Sequence, residues 1–341
     1  MRLGLLVALP LMAQTMSNAA NYSATKLTVD GFEVVKLTDA AHRTEVTIVP
    51  SIGNNAYSMT VNGKPVLWSP YQNLAQFKQK PALLGVPLLA PWANRLDQAA
   101  FYANGKKYVL NPELGNLRLD QNHLPIHGLV TFTDRWTVQA VQANSDSAQV
   151  TSRLEFWKYP DWMAQFPFAH TIEITHKLAN GSLEVRASIA NLSDQPMPVS
   201  LGFHPYYQIT DAPRDQWRVH LAARSHYSLS DKLIPTGETK PINLPDPLVL
   251  AGHQLDDVYG DLTGDEFSVQ GKTQKIAIRY GPKYRVAVVY APPGKEFICF
   301  EPMSGVTNAF NLAHAGIYKD LQSIAPGGKW EESFWIRPSG Y

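Results

Sequence analysis

Short stretches of alternating hydrophobic and polar residues, separated by turn residues, recur along most of this chain. The clearest two cover residues 171–178 and 183–189, and Asn180-Gly181 stands between them. Asn-Gly between two alternating stretches is the strongest local signal for a β-hairpin. The pattern predicts two antiparallel strands with one apolar face and one solvated face.

Two further Asn-Gly pairs, Asn62-Gly63 and Asn104-Gly105, predict two more hairpins. Helical periodicity is weak, and only residues 71–77 fit one or two helical turns, while the 25 prolines favour many turns over long helices. We therefore predict an all-β fold, with residues 20–341 forming one domain of large packed antiparallel sheets. The remaining predicted strands cover residues 32–37, 44–49, 217–221, 276–280, 285–290, 297–300 and 332–336.

The first residues follow a different pattern. Arg2 precedes an apolar stretch over residues 3–12, and a polar stretch ending in small residues follows up to Ala20. A cationic start, an apolar segment too short for a bilayer and a small-residue end predict a secretory signal peptide over residues 1–19. A buried N-terminal strand and an uncleaved anchor are the alternatives. The expected location is secreted or periplasmic, with no membrane contact in the mature form.

Composition narrows the classes of partner and chemistry. The net charge is only +1 over 341 residues, whereas a nucleic-acid-binding protein carries a surplus of positive charge. No nucleic-acid partner is therefore expected. The single cysteine, Cys299, cannot form an internal disulfide, which is compatible with a bacterial periplasm. Its apolar surroundings favour a small buried side chain over a reactive thiol.

Two proton-handling side chains, His204 and Glu301, stand in apolar, aromatic stretches, and a proline follows each. We expect the strand to end at each proline and to bring the side chain to the rim of a sheet, where a ligand can reach it. Partial burial should raise the pKa of Glu301 from about 4.3 toward neutrality, whereas a histidine near its ordinary pKa of about 6.5 already suits acid catalysis. The hypothesis is an acid and a base that act on one sugar.

Three other places carry polar groups in unusual surroundings. Arg95, after Trp92 and Asn94, offers a fixed fork of donors beside an aromatic, and an arginine that only covers Trp92 is the alternative. His127 precedes Gly128, which leaves room for a close ligand, but a packed core histidine is an open alternative. The pair Asp256 and Asp257 precedes an aromatic residue and also fits an exposed turn.

Several common catalytic patterns are absent from the sequence. No His, Cys, Asp or Glu residues show a recognised metal-ligand spacing such as His-Glu-x-x-His. The chain also lacks a Gly-x-Ser-x-Gly nucleophile motif, a P-loop and a dinucleotide fingerprint. Neither a metal nor a cofactor is expected.

These residues, in this order, resemble the aldose 1-epimerase family, also called galactose mutarotases. The resemblance covers roughly residues 25–338, and its most specific pieces are Pro-Trp-Ala-Asn-Arg and Gly-Phe-His-Pro-Tyr. The matching motifs are Asn94-Arg95, His127-Gly128, Gly202 to Tyr206, Asp256-x-x-Tyr259 and Glu301-Pro302.

The resemblance implies a β-supersandwich fold and cofactor-free interconversion of the α and β anomers of free hexoses such as glucose or galactose. It implies a general acid at His204 and a general base at Glu301. The implied sugar-binding residues are Arg95, His127, Asp256 and, as a supporting contact, Asn94.

The chain also departs from the family pattern. Pro205-Tyr206-Tyr207 follows the histidine, and Leu129 replaces a second glycine after Gly128. These departures affect the preferred sugar more than the chemistry. The aromatic residues near the motifs, Trp92, Tyr206 and Tyr259, are candidates for contact with the C–H groups of a sugar.

Two other functions remain open at this point. One is a non-catalytic carbohydrate-binding protein on the same fold, which would have no need of both His204 and Glu301. The other is a hydrolase or lyase accessory domain, which would need a pair of catalytic carboxylates. The sequence indicates no oligomeric state.

Overall fold

The computed structural model describes residues 21–341, so the predicted signal peptide over residues 1–19 lies outside the described residues. The described part is built mainly of strands, with short helices between them. The first strands are β1 (Tyr22–Val29), β2 (Phe32–Asp39), β3 (Thr44–Val49), β4 (Asn55–Val61), β5 (Lys64–Pro65), β6 (Leu88–Leu89), β7 (Ala100–Ala103), β8 (Lys106–Val109), β9 (Thr137–Ala143), β10 (Ala148–Glu155), β11 (His170–Ala179), β12 (Ser182–Asn191) and β13 (Met197–Val199).

The second half of the chain continues in the same manner. Its strands are β14 (Gly202–Phe203), β15 (Tyr206–Tyr207), β16 (Arg218–His220), β17 (Ala223–Leu229), β18 (Pro235–Pro241), β19 (Leu248–Val249), β20 (Leu255–Leu262), β21 (Phe267–Gln270), β22 (Lys275–Tyr280), β23 (Val286–Ala291), β24 (Ile298–Met303), β25 (Gln322–Ile324) and β26 (Lys329–Ser339). The helices are α1 (Leu74–Gln79), α2 (Pro160–Gln165) and α3 (Ala309–His314), with 3-10 turns at Pro112–Leu114, Phe156–Lys158 and Arg214–Gln216.

Three large sheets contain most of the strands. One has nine strands in the order β19-β16-β21-β22-β26-β12-β11-β10-β9, and one has the order β18-β17-β20-β23-β24-β14-β6, with β15 as an eighth strand beside β24. The third has five strands in the order β1-β2-β3-β4-β5, and two pairs, β13-β25 and β7-β8, complete the arrangement. Neighbouring strands run antiparallel. The all-β fold of large antiparallel sheets is therefore confirmed.

The core lies between the nine-stranded and the eight-stranded sheets. Phe203 of β14 packs against Phe334 of β26 at 5.1 Å between ring centroids, and Phe300 of β24 packs against Phe267 of β21 at 5.9 Å. Residues of the five-stranded sheet, such as Val35, belong to the same apolar cluster. Because one face of the eight-stranded sheet is used in this core, its other face is available for a site.

The three predicted Asn-Gly hairpins are confirmed, as β4-β5, β7-β8 and β11-β12. Asn180 and Gly181 both have positive φ, at 50° and 68°, and the other two Asn-Gly pairs share this conformation. Such φ values form the turn whose twist matches that of the flanking strands. The weak helical signal over residues 71–77 corresponds to α1, which begins later because Asn73 caps its first turn.

The expectation that the strand ends after Glu301 is wrong. Strand β24 continues through Pro302 to Met303. On one side of β24, β15 pairs only with Ile298 and Cys299, and β14 pairs only with Met303. Pro302 therefore lies where the ladder is interrupted, and there a residue without an N–H is tolerated.

Among residues 21–341, no helix has both the length and the apolar character needed to cross a membrane.

Candidate active site

Glu301 lies in the middle of the eight-stranded sheet, not at its rim. Side chains alternate between the two faces of a strand. Ile298 and Phe300 of β24 face the core, so Glu301 projects from the opposite face, together with Cys299. Glu301 is 1% exposed, and it pairs with Val288 on the neighbouring strand β23. Cys299 is fully buried, which fits the predicted packing role.

His204 occupies the break between β14 and β15. Its backbone N–H donates to the carbonyl of Pro87 at 3.1 Å, next to the pairing of β14 with β6. The imidazole stacks on the ring of Tyr206, with 4.9 Å between centroids and 6° between planes. Its Nε2 lies 3.3 Å from Oε1 of Glu301. The chain break thus brings the imidazole directly beside the buried carboxyl group.

His127 and Asn94 lie on two loops that are hydrogen-bonded to each other. The backbone N–H of His127 donates to the carbonyl of Asn94 at 2.9 Å, and both residues have positive φ, at 64° and 55°. Gly128 lets the two loops approach each other this closely, since a Cβ at its position would lie 2.1 Å from the carbonyl oxygen of Ala90. Glycine here admits the backbone of the protein, whereas the sequence suggested room for a ligand.

Arg95 is oriented by its neighbours. Its Nε donates to Oδ2 of Asp120 at 2.7 Å, and its Nη1 donates to Oδ1 of Asn94 at 3.1 Å. The backbone N–H groups of Asn122 and Leu124 also donate to Asp120. Burial alone would raise the pKa of Asp120, but the bond from Arg95 and the backbone bonds outweigh it and lower that pKa. Asp120 was not identified from the sequence, because it lies in a polar loop without a recognisable motif.

The register of β20 places Asp256 and Asp257 on opposite faces. Asp256 pairs with Tyr290 and shares its face with Val258, whereas Asp257 lies between the core residues Leu255 and Tyr259. Of the two, only Asp256 reaches the site. Two strand spacings and two residues separate it from Glu301, which is about 12 Å between Cα atoms. Asp256 therefore contacts the side of the site away from His204.

All six candidate residues line one cavity of about 380 Å³. This volume lies within the usual range for small-molecule sites. Of the aromatic candidates, Tyr206 lines the cavity, whereas Trp92 and Tyr259 belong to the core. Tyr290 was missed, because its strand reads as uniformly apolar. The cavity lining consists of Leu83, Asn94, Arg95, Asp120, Gln121, Ile126, His127, His204, Tyr206, Leu233, Asp256, Val288, Tyr290 and Glu301.

Burial removes charge from the groups at the bottom of the cavity. It raises the pKa of Glu301 well above its ordinary value, an effect that Asp256 increases and Arg95 opposes. Burial also lowers the pKa of His204, and Arg118 lowers it further. The expectation of an unshifted histidine is therefore wrong. These opposite shifts disfavour charge on both groups and favour a neutral imidazole beside a protonated carboxyl group.

The other polar groups of the cavity respond to the same surroundings. Burial lowers the pKa of His127 well below its ordinary value, and the nearby groups of His204, Arg118 and Arg95 lower it further. Asp256 is open to the cavity, yet the cavity walls displace enough water to raise its pKa, against the effect of Arg95. A neutral His127 can both donate and accept hydrogen bonds, which suits a hydroxyl-rich ligand.

Several buried polar atoms near the cavity have no hydrogen-bond partner within residues 21–341. They include Oε2 of Glu301 and the Nδ1 atoms of His204 and His127. Buried polar groups are normally paired, so these atoms indicate a place where a polar ligand completes the bonding. Within the same residues, no group of three or more His, Cys, Asp or Glu side chains is arranged to hold a metal ion.

Comparison with known proteins identifies the family of this chain. The model of the aldose 1-epimerase family matches residues 33–337, and the chain belongs to this family. The family is one of sugar epimerases and mutarotases, which are isomerases that act on monosaccharides.

Solved structures show the same fold. A galactose mutarotase-like protein from Clostridium acetobutylicum has a TM-score of 0.83 at 19% identity, over 94% of this chain and 99% of that one. A protein from Synechocystis has a TM-score of 0.71 at 26% identity, over 93% and 99%. A galactose 1-epimerase from Lactobacillus acidophilus has a TM-score of 0.70 at 15% identity, over 95% and 100%.

Proposed function

We propose that the protein interconverts the α and β anomers of free aldohexoses, with glucose or galactose as substrate. The observation that carries this proposal is the contact between His204 and Glu301, 3.3 Å apart at the bottom of a cavity of about 380 Å³. A protein that only binds sugars has no need of an acid and a base side by side, and each carries a desolvation cost.

The close contact suits a reaction centred on one carbon. The ring oxygen and the C1 hydroxyl are both bonded to C1, so the two groups that exchange protons must be close together. An inverting glycosidase, in contrast, separates its two carboxyl groups by about 6.5–9.5 Å to admit a water molecule. His204 and Glu301, in contrast, lie side by side on one wall of the cavity.

Ring opening then proceeds by two proton transfers. His204 protonates the ring oxygen, Glu301 takes the proton of the C1 hydroxyl, and the bond between C1 and the ring oxygen breaks to give the aldehyde. Rotation about C1–C2 presents the other face, and closure returns both protons. The pair holds one proton throughout. The opposite pKa shifts favour that proton on Glu301 in the empty cavity, so it passes to His204 over their 3.3 Å contact before the ring opens.

The rest of the cavity suits a neutral sugar. Arg95 and His127 can donate to hydroxyl oxygens, and Asp256 can accept from hydroxyls on the far side of the ring. Asn94 supports Arg95 through the bond between them. Arg95, the one Lys or Arg side chain in the described cavity lining, is already paired to Asp120, which disfavours a sugar phosphate.

Replacing either member of the pair tests the proposal. We expect Glu301→Gln and His204→Asn each to lose about 10²- to 10⁴-fold in the enzyme-dependent rate, because each removes one proton-transfer group. Polarimetry or proton NMR of freshly dissolved α-D-glucose and α-D-galactose measures this rate. Cys299→Ala, two residues from Glu301 on the same strand, is the matched control and should keep the rate within about twofold. Wild-type protein that binds sugar but gives only the spontaneous rate would favour the binding-protein alternative.

We also propose that the mature protein is secreted or periplasmic. The cationic start and short apolar stretch of residues 1–19 support this location. N-terminal sequencing of the protein from its native host would show the site of cleavage, and an intact Met1 in the cytoplasmic fraction would refute the proposal.

A further inference from the structure

The hairpin between β17 and β18 has an unusual residue in its turn. The backbone N–H of Leu233 donates to the carbonyl of Ser230 at 3.0 Å, and the N–H of Ser230 donates to the carbonyl of Ile234 at 2.9 Å. These bonds close a three-residue loop, the form in which a type I turn is followed by one residue in the left-handed conformation. Leu233 is that residue, with φ of +59°.

Leucine does not suit this position. The left-handed region is unfavourable for residues with a Cβ, and glycine or asparagine normally fills it. Several other hairpin turns of the chain follow the rule, as Asn180 and Gly181 do between β11 and β12, whereas Arg43 between β2 and β3 is a second exception, with φ of +49°. A residue that breaks a local rule indicates strain maintained for another purpose.

The side chain of Leu233 lies at the catalytic cavity. It is one of the residues that line the cavity, and it is half-buried although β18, which follows it, is exposed over most of its length. Two more aliphatic residues reach this cavity from loops: Leu83, from the loop after α1, and Ile126, from the loop that carries His127. The remaining loop residues of the lining are mostly polar or charged, so these three side chains supply the apolar loop contacts of the cavity.

We propose that Leu233 is a specificity-determining residue that packs on the C–H face of the bound pyranose and excludes water from it. This inference rests on the proposed function and extends it to a contact outside the acid-base pair. A pyranose has an apolar face as well as hydroxyls, and an aliphatic cover favours an uncharged sugar over one with a charged substituent there. The strained backbone of the turn aims the side chain into the cavity.

The test separates backbone strain from substrate contact. Leu233→Gly relieves the φ strain, so its melting temperature should equal or exceed that of the wild type, while kcat/KM should fall about 5- to 20-fold through loss of the apolar contact. The loss should appear mainly in KM and in the Kd for the sugar, because His204 and Glu301 are untouched. Leu233→Asn tolerates the same conformation and should behave similarly, whereas Leu233→Met keeps an apolar cover and should remain within about twofold of wild type.

The control is Asn180→Gly, a substitution at the same backbone conformation in a hairpin outside the cavity lining, which should leave both kcat/KM and Kd unchanged. A Leu233→Gly protein of wild-type stability, with wild-type kcat/KM and Kd, would overturn the proposal. So would parallel losses of activity and melting temperature. If the wild type binds sugar without turning it over, the Kd comparison alone decides on Leu233, and the proposed function fails separately. If the wild type binds no sugar tested, both proposals fall.

Discussion

At the residue scale, burial determines what His204 and Glu301 can do. In water, neutral pH would leave the carboxyl group ionised and the imidazole mostly neutral. In the cavity, burial raises the pKa of Glu301 and lowers that of His204, so charge is disfavoured on both. The pair then retains one proton over a wide pH range, which is the protonation state that a reversible two-proton exchange requires.

This protonation predicts the pH profile of kcat/KM. Activity should be constant through neutral pH. On the acidic side it should fall only below the ordinary histidine pKa of about 6.5, because the buried imidazole resists a second proton. On the alkaline side it should fall only well above the ordinary glutamate pKa of about 4.3, where Glu301 loses the proton that burial retains. Polarimetry at a series of pH values, with the spontaneous rate subtracted, measures the profile.

Both limbs belong to the coupled pair and not to one residue alone. A fall in kcat/KM with decreasing pH, centred near pH 6.5, would show that His204 titrates like a histidine in water, with a pKa of about 6.5. That result would contradict the burial argument. A sugar with no titratable group is the suitable substrate, because its own ionisation cannot produce either limb.

At the scale of elements, the site depends on the loops that the eight-stranded sheet supports. Strand β24 holds Glu301 rigidly in the middle of the sheet, and the break between β14 and β15 positions His204. The His127 loop is held to the Asn94 loop by several backbone contacts, among them the hydrogen bond from His127 to Asn94 and the close approach of Gly128 to Ala90. The rigid groups thus supply the proton transfers, and the loops supply the contacts to the rest of the sugar.

Gly128→Ala tests the loop contact. Its φ is +67°, and the added Cβ would meet the Ala90 carbonyl, so we expect a loss of roughly 2–4 kcal/mol in the free energy of unfolding. Displacement of His127 should also raise KM. Chemical denaturation and polarimetry measure the two effects.

Gly105→Ala is the matched control for this change. Gly105 has a similar φ of +73° but open space around the added Cβ, so it isolates the cost of the backbone conformation at about 1–2 kcal/mol. Equal losses of stability in the two variants would show that the contact with Ala90 relaxes easily.

At the scale of the whole molecule, the core contains histidines that play no part in the proposed chemistry. His170 and His176 of β11 are each about 1% exposed. Burial lowers the pKa of His170 to about 4, against a hydrogen bond to the carbonyl of Phe168, and lowers the pKa of His176 to about 3. Both must remain neutral for the sheets to pack as they do.

These histidines predict acid sensitivity. Their folded pKa values lie below the unfolded value of about 6.5, so the unfolded chain binds more protons as the pH falls. As the pH falls from about 6.5 toward the folded pKa, each neutral histidine lowers the free energy of unfolding by a growing amount. The loss reaches roughly 2 kcal/mol for each histidine at about pH 5. His176→Leu should remove one of these contributions. Between about pH 7 and about pH 5, the free energy of unfolding measured with denaturant should fall by roughly 2 kcal/mol less in this variant than in the wild type. Equal losses in the two proteins would contradict the prediction.

Features whose signal lies within a short segment could be predicted from the sequence, and features that depend on distant residues could not. The Asn180-Gly181 hairpin was predicted correctly, since its turn and its alternation lie within twenty residues. The end of the strand at Pro302 was predicted wrongly, because whether a proline is tolerated depends on the neighbouring strand. Asp120 and Tyr290 were missed altogether, as nothing near them in the chain marks them.

The sequence by itself determined the all-β class, the hairpins and the family, because alternation, turn residues and ordered motifs are properties of short segments. It also marked the six polar residues that the fold gathers in one cavity. Only the tertiary structure decided that Asp256 and not Asp257 faces this cavity, that His204 touches Glu301, and that both resist charge. The reason is that strand register, interatomic distance and loss of water arise only when segments far apart in the chain pack together.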